Sequence, residues 1–230
     1  MMRVTAVLPC HNHARWVADA IVSVATQQFE GSLKIVVVDD GSTDGSSEAA
    51  LASLQGGVVA GTDVPCTVLR HERAKGPAAA RNTGVALHWD ETDLYAFLDS
   101  DDVYCPGKLA RSAAVWAEAP DHVGGVYTDY VTVDPEGVRL REYKPPFCRE
   151  HLLRECIVNM DSVVGRDALA KVGVFVPSLR VAEDYDLWLR LSEHYVVVHV
   201  PEALVEIRVG PHSSTATVPS PTWQDCHRRV

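Results

Sequence analysis

Phe97-Leu98-Asp99-Ser100-Asp101-Asp102 is the stretch whose reading decides the rest. It closes the apolar run Leu94-Tyr95-Ala96-Phe97-Leu98, which suits a strand buried on both faces of a mainly parallel sheet. The carboxylates of Asp99, Asp101 and Asp102 then fall where that strand leaves the core. Like charges so close repel one another, which is tolerable in solvent or around a divalent cation, and open α/β sheets hold their ligands at this carboxyl edge. Two readings fit these residues. One is a cation carrying a diphosphate; the other is an acidic turn, since Asp and Ser are common turn formers and Pro106 follows closely.

Toward the N-terminus, Val4 to Leu8 predicts a first strand, broken by Pro9-Cys10-His11-Asn12. Val17, Ala20, Ile21 and Val24 recur at helical spacing, so a helix over about 15–28 can pack one face on a sheet. Leu33 to Val38 predicts a second strand, ending in Asp39-Asp40-Gly41-Ser42-Thr43-Asp44-Gly45, a run of turn formers with an N-cap for a helix over 46–54. Thr67-Val68-Leu69 reads as a short third strand, and Gly76-Pro77 opens a helix through Leu87 that carries Arg81 and Asn82. Beyond the acidic stretch, Pro106 opens another helix to about Ala119. Strands and helices alternating in this way imply a parallel sheet with right-handed crossovers.

After Pro120 the pattern changes. Strands over 123–127 and 130–133, with a turn at Asp134-Pro135-Glu136-Gly137, suggest antiparallel or mixed pairing added to the first sheet. Residues 141–148 are polar and Pro-rich, which predicts a mobile loop. A short strand over 162–164 and a helix over 167–172 follow. The segment Glu183-Asp184-Tyr185-Asp186-Leu187-Trp188-Leu189-Arg190-Leu191 has its acids in the first turn of a helix, as the dipole favours, with Leu187, Trp188 and Leu191 on one face. Strands over 195–200 and 204–209 close the chain before a Ser/Thr/Pro-rich tail, read as loop or flexible end.

The 230 residues are 47% hydrophobic and 23% charged, which argues against a disordered chain and allows one domain. A net charge of −10 repels nucleic acid and anionic membrane, and no basic run offsets it, so a phosphate-rich ligand needs a metal or local positive charge. Cys10, Cys66, Cys105, Cys148, Cys156 and Cys226 form no C-x-x-C pair, which points to reduced thiols rather than a zinc site or disulfide framework. The apolar start ended by Pro9 is too short for a signal peptide or a membrane span, so the expected location is cytoplasmic. No G-x-G-x-x-G follows the first strand, and neither a P-loop nor a G-x-S-x-G elbow occurs.

Five stretches together resemble the inverting family 2 glycosyltransferases of the GT-A fold. They are Val7-Leu8-Pro9-Cys10-His11-Asn12, Val37 to Asp44, Gly76 to Gly84 with Ala80-Arg81-Asn82-Thr83-Gly84, Phe97 to Asp102, and Val181 to Trp188; they stand in the family's order and span about Val4 to Gly210. The resemblance implies an α/β fold, one mostly parallel Rossmann-like sheet flanked by helices with a small mixed or antiparallel addition. It implies a nucleotide-binding half over 1–120, an acceptor half over 121–210 and a flexible tail over 211–230. Pro9, His11, Asn12 and Asp40 would surround base and ribose, and Arg81 would sit near the diphosphate. The acidic stretch would be a DXD motif: Asp99, Ser100 and Asp101 on the nucleotide, Asp101 or Asp102 on Mn²⁺ or Mg²⁺. His212 would be a further metal or phosphate contact, although Gly210-Pro211 ahead of it departs from the family's commoner spacing.

Asp184 would be the base and Glu183 the neighbour that orients the acceptor or the loop. Blander roles stand beside these: helix capping for Asp39 or Asp40, a solvated helix face for Arg81, and capping for Glu183 and Asp184. Trp188 reads as core, and His194 and His199 as packing or surface residues. The activity implied is metal-assisted single displacement of a sugar from a UDP- or TDP-sugar to a carbohydrate or small-molecule acceptor, on a hydroxyl or amine. A homo-oligomer or partner chain could complete the acceptor site. A sugar-nucleotide pyrophosphorylase would need a Gly-rich loop and a basic residue after the first strand, which Pro9-Cys10-His11-Asn12 lacks. Against a non-catalytic nucleotide-sugar binder stand Asp101, Asp102 and Asp184.

Overall fold

A computed structural model describes residues 1–55, 59–179 and 181–210. β1 (Met2–Cys10) pairs in parallel with β2 (Gly31–Asp39) on one side and β4 (Leu94–Phe97) on the other, and β2 pairs in parallel with β3 (Cys66–Arg70). Both faces of β1 are apolar for a reason. Ala6 and Leu8 pack with Ile35, Val37 and the Val17, Ala20, Ile21 and Val24 stripe of α1 (Val17–Ala25), while Val7 joins Tyr95, Phe97 and Trp188 on the opposite face. α2 (Ser46–Gln55) lies beside α1, and α3 (Pro77–Leu87) covers the Val7 face. α3 approaches so closely that a Cβ on Gly84 would stand 2.5 Å from Val7 Cγ1, so only glycine fits there.

The strands after Pro120 extend the same sheet, in the order β3-β2-β1-β4-β8-β6-β9-β5, with β7 on β6. β8 (Val163–Gly165) runs antiparallel to β4 and to β6 (Val123–Val133). β9 (Val196–Arg208) runs parallel to β6, and β5 (Val103–Tyr104) and β7 (Arg139–Glu142) add antiparallel pairs to β9 and β6. α4 (Lys108–Glu118), α5 (Arg149–Leu152), α6 (Arg166–Val172) and α7 (Glu183–Leu191) complete the elements.

Three expectations change here: the strands over 123–127 and 130–133 are one continuous strand, β6. The closing strands over 195–200 and 204–209 are one strand, because the register with β6 jumps from Thr128↔Val200 to Asp129↔Ala203 and so bulges Pro201 and Glu202 out of the ladder. Proline lacks the N–H a ladder needs and is accommodated at such irregularities. Residues 141–148 begin inside β7 and are then tied down: Tyr127 Oη donates to the Pro145 carbonyl at 2.5 Å and Lys144 N–H to Asp129 Oδ1 at 2.9 Å. The five described cysteines are free thiols. Among the described residues no helix is long and apolar enough to cross a membrane.

Candidate active site

Parallel pairing brings the carboxyl ends of β1, β2 and β4 to one edge, where Cys10 lies opposite Asp39 and Leu98 N–H donates to the Val7 carbonyl at 3.2 Å. The loops leaving that edge border a cleft of about 740 Å³, lined among others by Pro9, His11, Asp40, Arg81, Asp99, Asp101, Asp102, Glu183 and Asp184.

On the β2 side the acids are fully engaged. Asp39 accepts Ser42 N–H at 2.9 Å and the Ser47 hydroxyl, so it fixes the turn into α2. Asp40 accepts His71 Nδ1 at 2.7 Å, Lys75 N–H at 2.8 Å and Gly76 N–H at 2.7 Å, clamping the loop that leads into α3. Gly41, at φ +68, permits this, because a Cβ there would meet the Arg73 backbone at 2.7 Å. Burial pushes both carboxyls up, but these donors outweigh it and hold each below its ordinary value. His11 Nδ1 lies 2.8 Å from the Asp40 carbonyl. Asn12, at φ 58, braces the neighbouring loop instead of lining the cleft: its Oδ1 accepts Thr43 N–H at 2.9 Å.

The β4 side is different. Asp99, Asp102 and Asp161 each bring one carboxylate oxygen within 4.8 Å of the others. Burial, followed by the charges of Asp161, Asp101 and Asp99, drives the Asp102 carboxyl well above its ordinary value; burial and Asp99 raise Asp161 to about 7. Three hard oxygen donors with like charge in a sheltered place form a donor set that fits Mg²⁺ or Mn²⁺. Asp101 lines the same cleft but is not one of the three, its Oδ1 lying 3.7 Å from His13 Nδ1. Ser100 is fully buried and bonds His13 Nδ1 at 2.8 Å, so it shapes the loop from beneath. Lys108 is wholly buried and donates to Thr128 Oγ1 at 2.9 Å; burial lowers its ammonium to about 7, with Asp161 opposing.

Arg81 joins this cluster to the other acidic pair. It is only 3% exposed, and it donates from Nη2 to Asp99 at 2.6 Å and from Nη1 to Glu183 at 2.5 Å above the Phe175 ring. Burial disfavours its charge, yet Asp99 and Glu183 hold it charged, so a solvated helix face is ruled out. Its Nε is buried without a partner among the described residues. Glu183 and Asp184 open α7 behind Ala182, whose φ of 59° is unusual for a residue with a Cβ and is a strain often kept at functional sites. Asp184 is half-buried, accepts Tyr185 N–H at 2.8 Å, and is pushed up to about 6 by burial and then by Glu183, against Arg81.

Trp188 is core, and His199 packs on the Tyr127 ring at 4.8 Å while bonding Asp129. His212 and Cys226 lie outside the described residues. Sequence reasoning missed His13, His71, Lys108 and Asp161. For Asp161 no local signal existed: its place follows from β8 running antiparallel to β4, so that its amino end arrives where the carboxyl end of β4 does, and Phe97 N–H donates to the Ser162 carbonyl at 3.0 Å.

The strand order and the acid-lined cleft at the carboxyl edge define an α/β architecture with its ligand cleft at the ends of the strands. The chain belongs to glycosyl transferase family 2, whose model matches residues 5–173. An uncharacterized glycosyltransferase of Rickettsia bellii is 26% identical over 222 residues, covering 95% of this chain and 30% of that protein. S. aureus TarS 1-349 in complex with UDP-GlcNAc has a TM-score of 0.72 at 20% identity, over 95% of this chain and 62% of that one. The mannosyltransferase PcManGT from Pyrobaculum calidifontis, in complex with GDP-Man and Mn²⁺, has a TM-score of 0.70 at 21% identity, over 93% and 59%. These two likenesses concern the fold, a mixed α/β sheet of the GT-A type. The chain spans about a third of the length of the first curated relatives it matches.

Proposed function

We propose that this chain transfers a sugar from a nucleoside-diphosphate sugar, UDP- or TDP-linked, to an acceptor hydroxyl or amine with inversion. The observation that carries the reading is the meeting in one cleft of the Asp99–Asp102 cluster and the Glu183-Asp184 pair, bridged by Arg81. The donor belongs to the half over 1–120: Pro9 and His11 border the base and ribose, and Asp40 shapes that pocket through the 71–76 loop. Asp99, Asp101 and Asp102 face the diphosphate. A divalent cation held there offsets the charge on the departing diphosphate. Proteins of the same fold are known in complex with UDP-GlcNAc, or with GDP-Man and Mn²⁺, which accords with a nucleoside-diphosphate sugar as donor.

Asp184 takes the proton from the acceptor. A base with a value raised to about 6 is ionised at neutral pH yet still basic enough to accept a proton as the new bond forms. Attack from the side opposite the diphosphate inverts the anomeric centre. Glu183, held by Arg81, fixes the first turn of α7 and hence the direction of Asp184. The test is nucleotide release from a panel of UDP-, TDP- and GDP-sugars with Mn²⁺, with and without acceptors, in wild type and Asp184→Asn. Release that depends on Asp184 supports the reading; a chain that binds donors and never releases nucleotide is a binding module.

A further inference from the structure

Asp161 belongs by sequence position to the acceptor half, but the fold delivers it to the donor side. Its backbone neighbour Ser162 accepts Phe97 N–H, and its own Oδ1 accepts Asp99 N–H at 3.2 Å, so it is fixed against the acidic loop at two points. Asp161 and Asp102 are 3% and 5% exposed. Asp102 accepts only a backbone N–H, that of Arg208, at 2.8 Å, and among the described residues neither acid forms an ion pair. The nearby cation Lys108 is engaged by Thr128. Lys108 and Arg81 oppose the rise of the Asp161 carboxyl only from a distance, and two buried like charges with no ion-pair partner among the described residues are costly unless something positive enters between them. Arg81, 3% exposed and lining the same cleft, also keeps a buried Nε with no partner among the described residues, a polar group that calls for an explanation.

We propose that Asp161 is a direct ligand of the divalent cation, a carboxylate from outside the Asp99–Asp102 stretch that completes an all-oxygen set with Asp99 and Asp102. The inference rests on reading the cleft as a cation-assisted donor site. It gives the residues leading into β8 a chemical role, and it explains why a buried acid is kept there without an ion pair among the described residues.

The test uses the full chain and Mn²⁺ itself, titrated with and without UDP and followed by the electron spin resonance of free Mn²⁺. Loss of an outer partner of a metal ligand costs about 10- to 100-fold in metal affinity, so Asp161→Asn is expected to lose at least that much. Asn keeps the acceptor for Asp99 N–H and removes one of the repelling charges, so the metal-free melting temperature should hold or rise. A second variant removes any doubt about folding. Asp161→Cys places a soft thiolate at the same point and should raise the ratio of Cd²⁺ to Mn²⁺ affinity about tenfold or more over wild type, because thiolates select softer ions. Wild-type Mn²⁺ binding together with an unchanged affinity in Asp161→Asn, or an unchanged ion ratio in Asp161→Cys, overturns the ligand role and leaves the donor-site reading standing. Failure of the wild type to bind Mn²⁺, alone and with UDP, overturns both.

Discussion

Asp39-Asp40 and Asp99–Asp102 end two strands that flank β1 at the same sheet edge, yet the carboxyls of Asp39 and Asp40 and that of Asp102 are displaced in opposite directions. The first pair is met by Ser42, Ser47, His71, Lys75 and Gly76, and its carboxyls are held low. In the second, Asp102 has one backbone donor and several acidic neighbours, and its carboxyl is driven up, as is that of Asp161 across the cluster. Acids that the protein satisfies by itself build the loops; acids it leaves in mutual repulsion are available to ligands. Asp184 falls in the second group, and the contrast can be broken or sharpened by mutation.

The largest effect is expected at Asp184. Asp184→Asn should lower kcat by about 10²- to 10⁴-fold, the range of a lost general base, with donor affinity nearly intact. Transfer within a few-fold of wild type in single-turnover assays would return Asp184 to a helix-opening role, and a much larger loss in Glu183→Gln would move the base to Glu183.

Asp40 should respond in stability. Asp40→Ala takes the shared acceptor from His71 Nδ1, Lys75 N–H and Gly76 N–H; for the buried His71 the orphaned group costs about 1–3 kcal/mol, and the two more exposed N–H groups cost less. A lower melting temperature is expected, with nucleotide affinity weakened equally with and without Mn²⁺. A loss of affinity seen only with Mn²⁺ would place Asp40 among the cation's neighbours and erase the contrast. Asp101→Ala combined with Asp102→Ala should do the reverse: metal-assisted UDP binding weakens about tenfold or more, ~1.4 kcal/mol, while the metal-free protein stays folded. Calorimetry showing unchanged metal-dependent affinity would refute it.

The first half of the sheet was legible because Val4–Leu8, Leu33–Val38 and Leu94–Leu98 are continuous apolar runs bounded by turn formers, and a strand buried on both faces demands that pattern. The long β6–β9 pairing was not, because Pro201 reads locally as a break and only the partner strand reveals a bulge. Site residues on the strand ends could be named from the motifs, but their partners lie far off in sequence: His71 is 31 residues from Asp40, and Arg81 reaches 102 residues to Glu183. Asp161 needed the antiparallel sense of β8, which no local pattern encodes.

The smallest expected effect concerns pH and stability, and it separates the two kinds of acid in one measurement. Asp39 and Asp40 have lowered folded values, so they contribute stability above the ordinary carboxyl range that is lost as pH falls through their folded values. Asp184 is raised from 3.8 to about 6, so its contribution has the opposite sign: it is fully present below the unfolded value and lost as pH rises through about 6. Asn mimics the protonated acid at every pH. Asp184→Asn should therefore melt above wild type at pH 7, and the gap should close as the pH is brought down to about 5. Each kcal/mol moves the melting temperature of a chain this size by about 2–4 °C, so the gap is a matter of a few degrees, measurable in the metal-free protein by calorimetry at matched ionic strength. A gap that stays constant from pH 7 to 5 would mean that the Asp184 carboxyl is not raised, and Asp184 would then belong with Asp39 and Asp40 among the acids that shape loops.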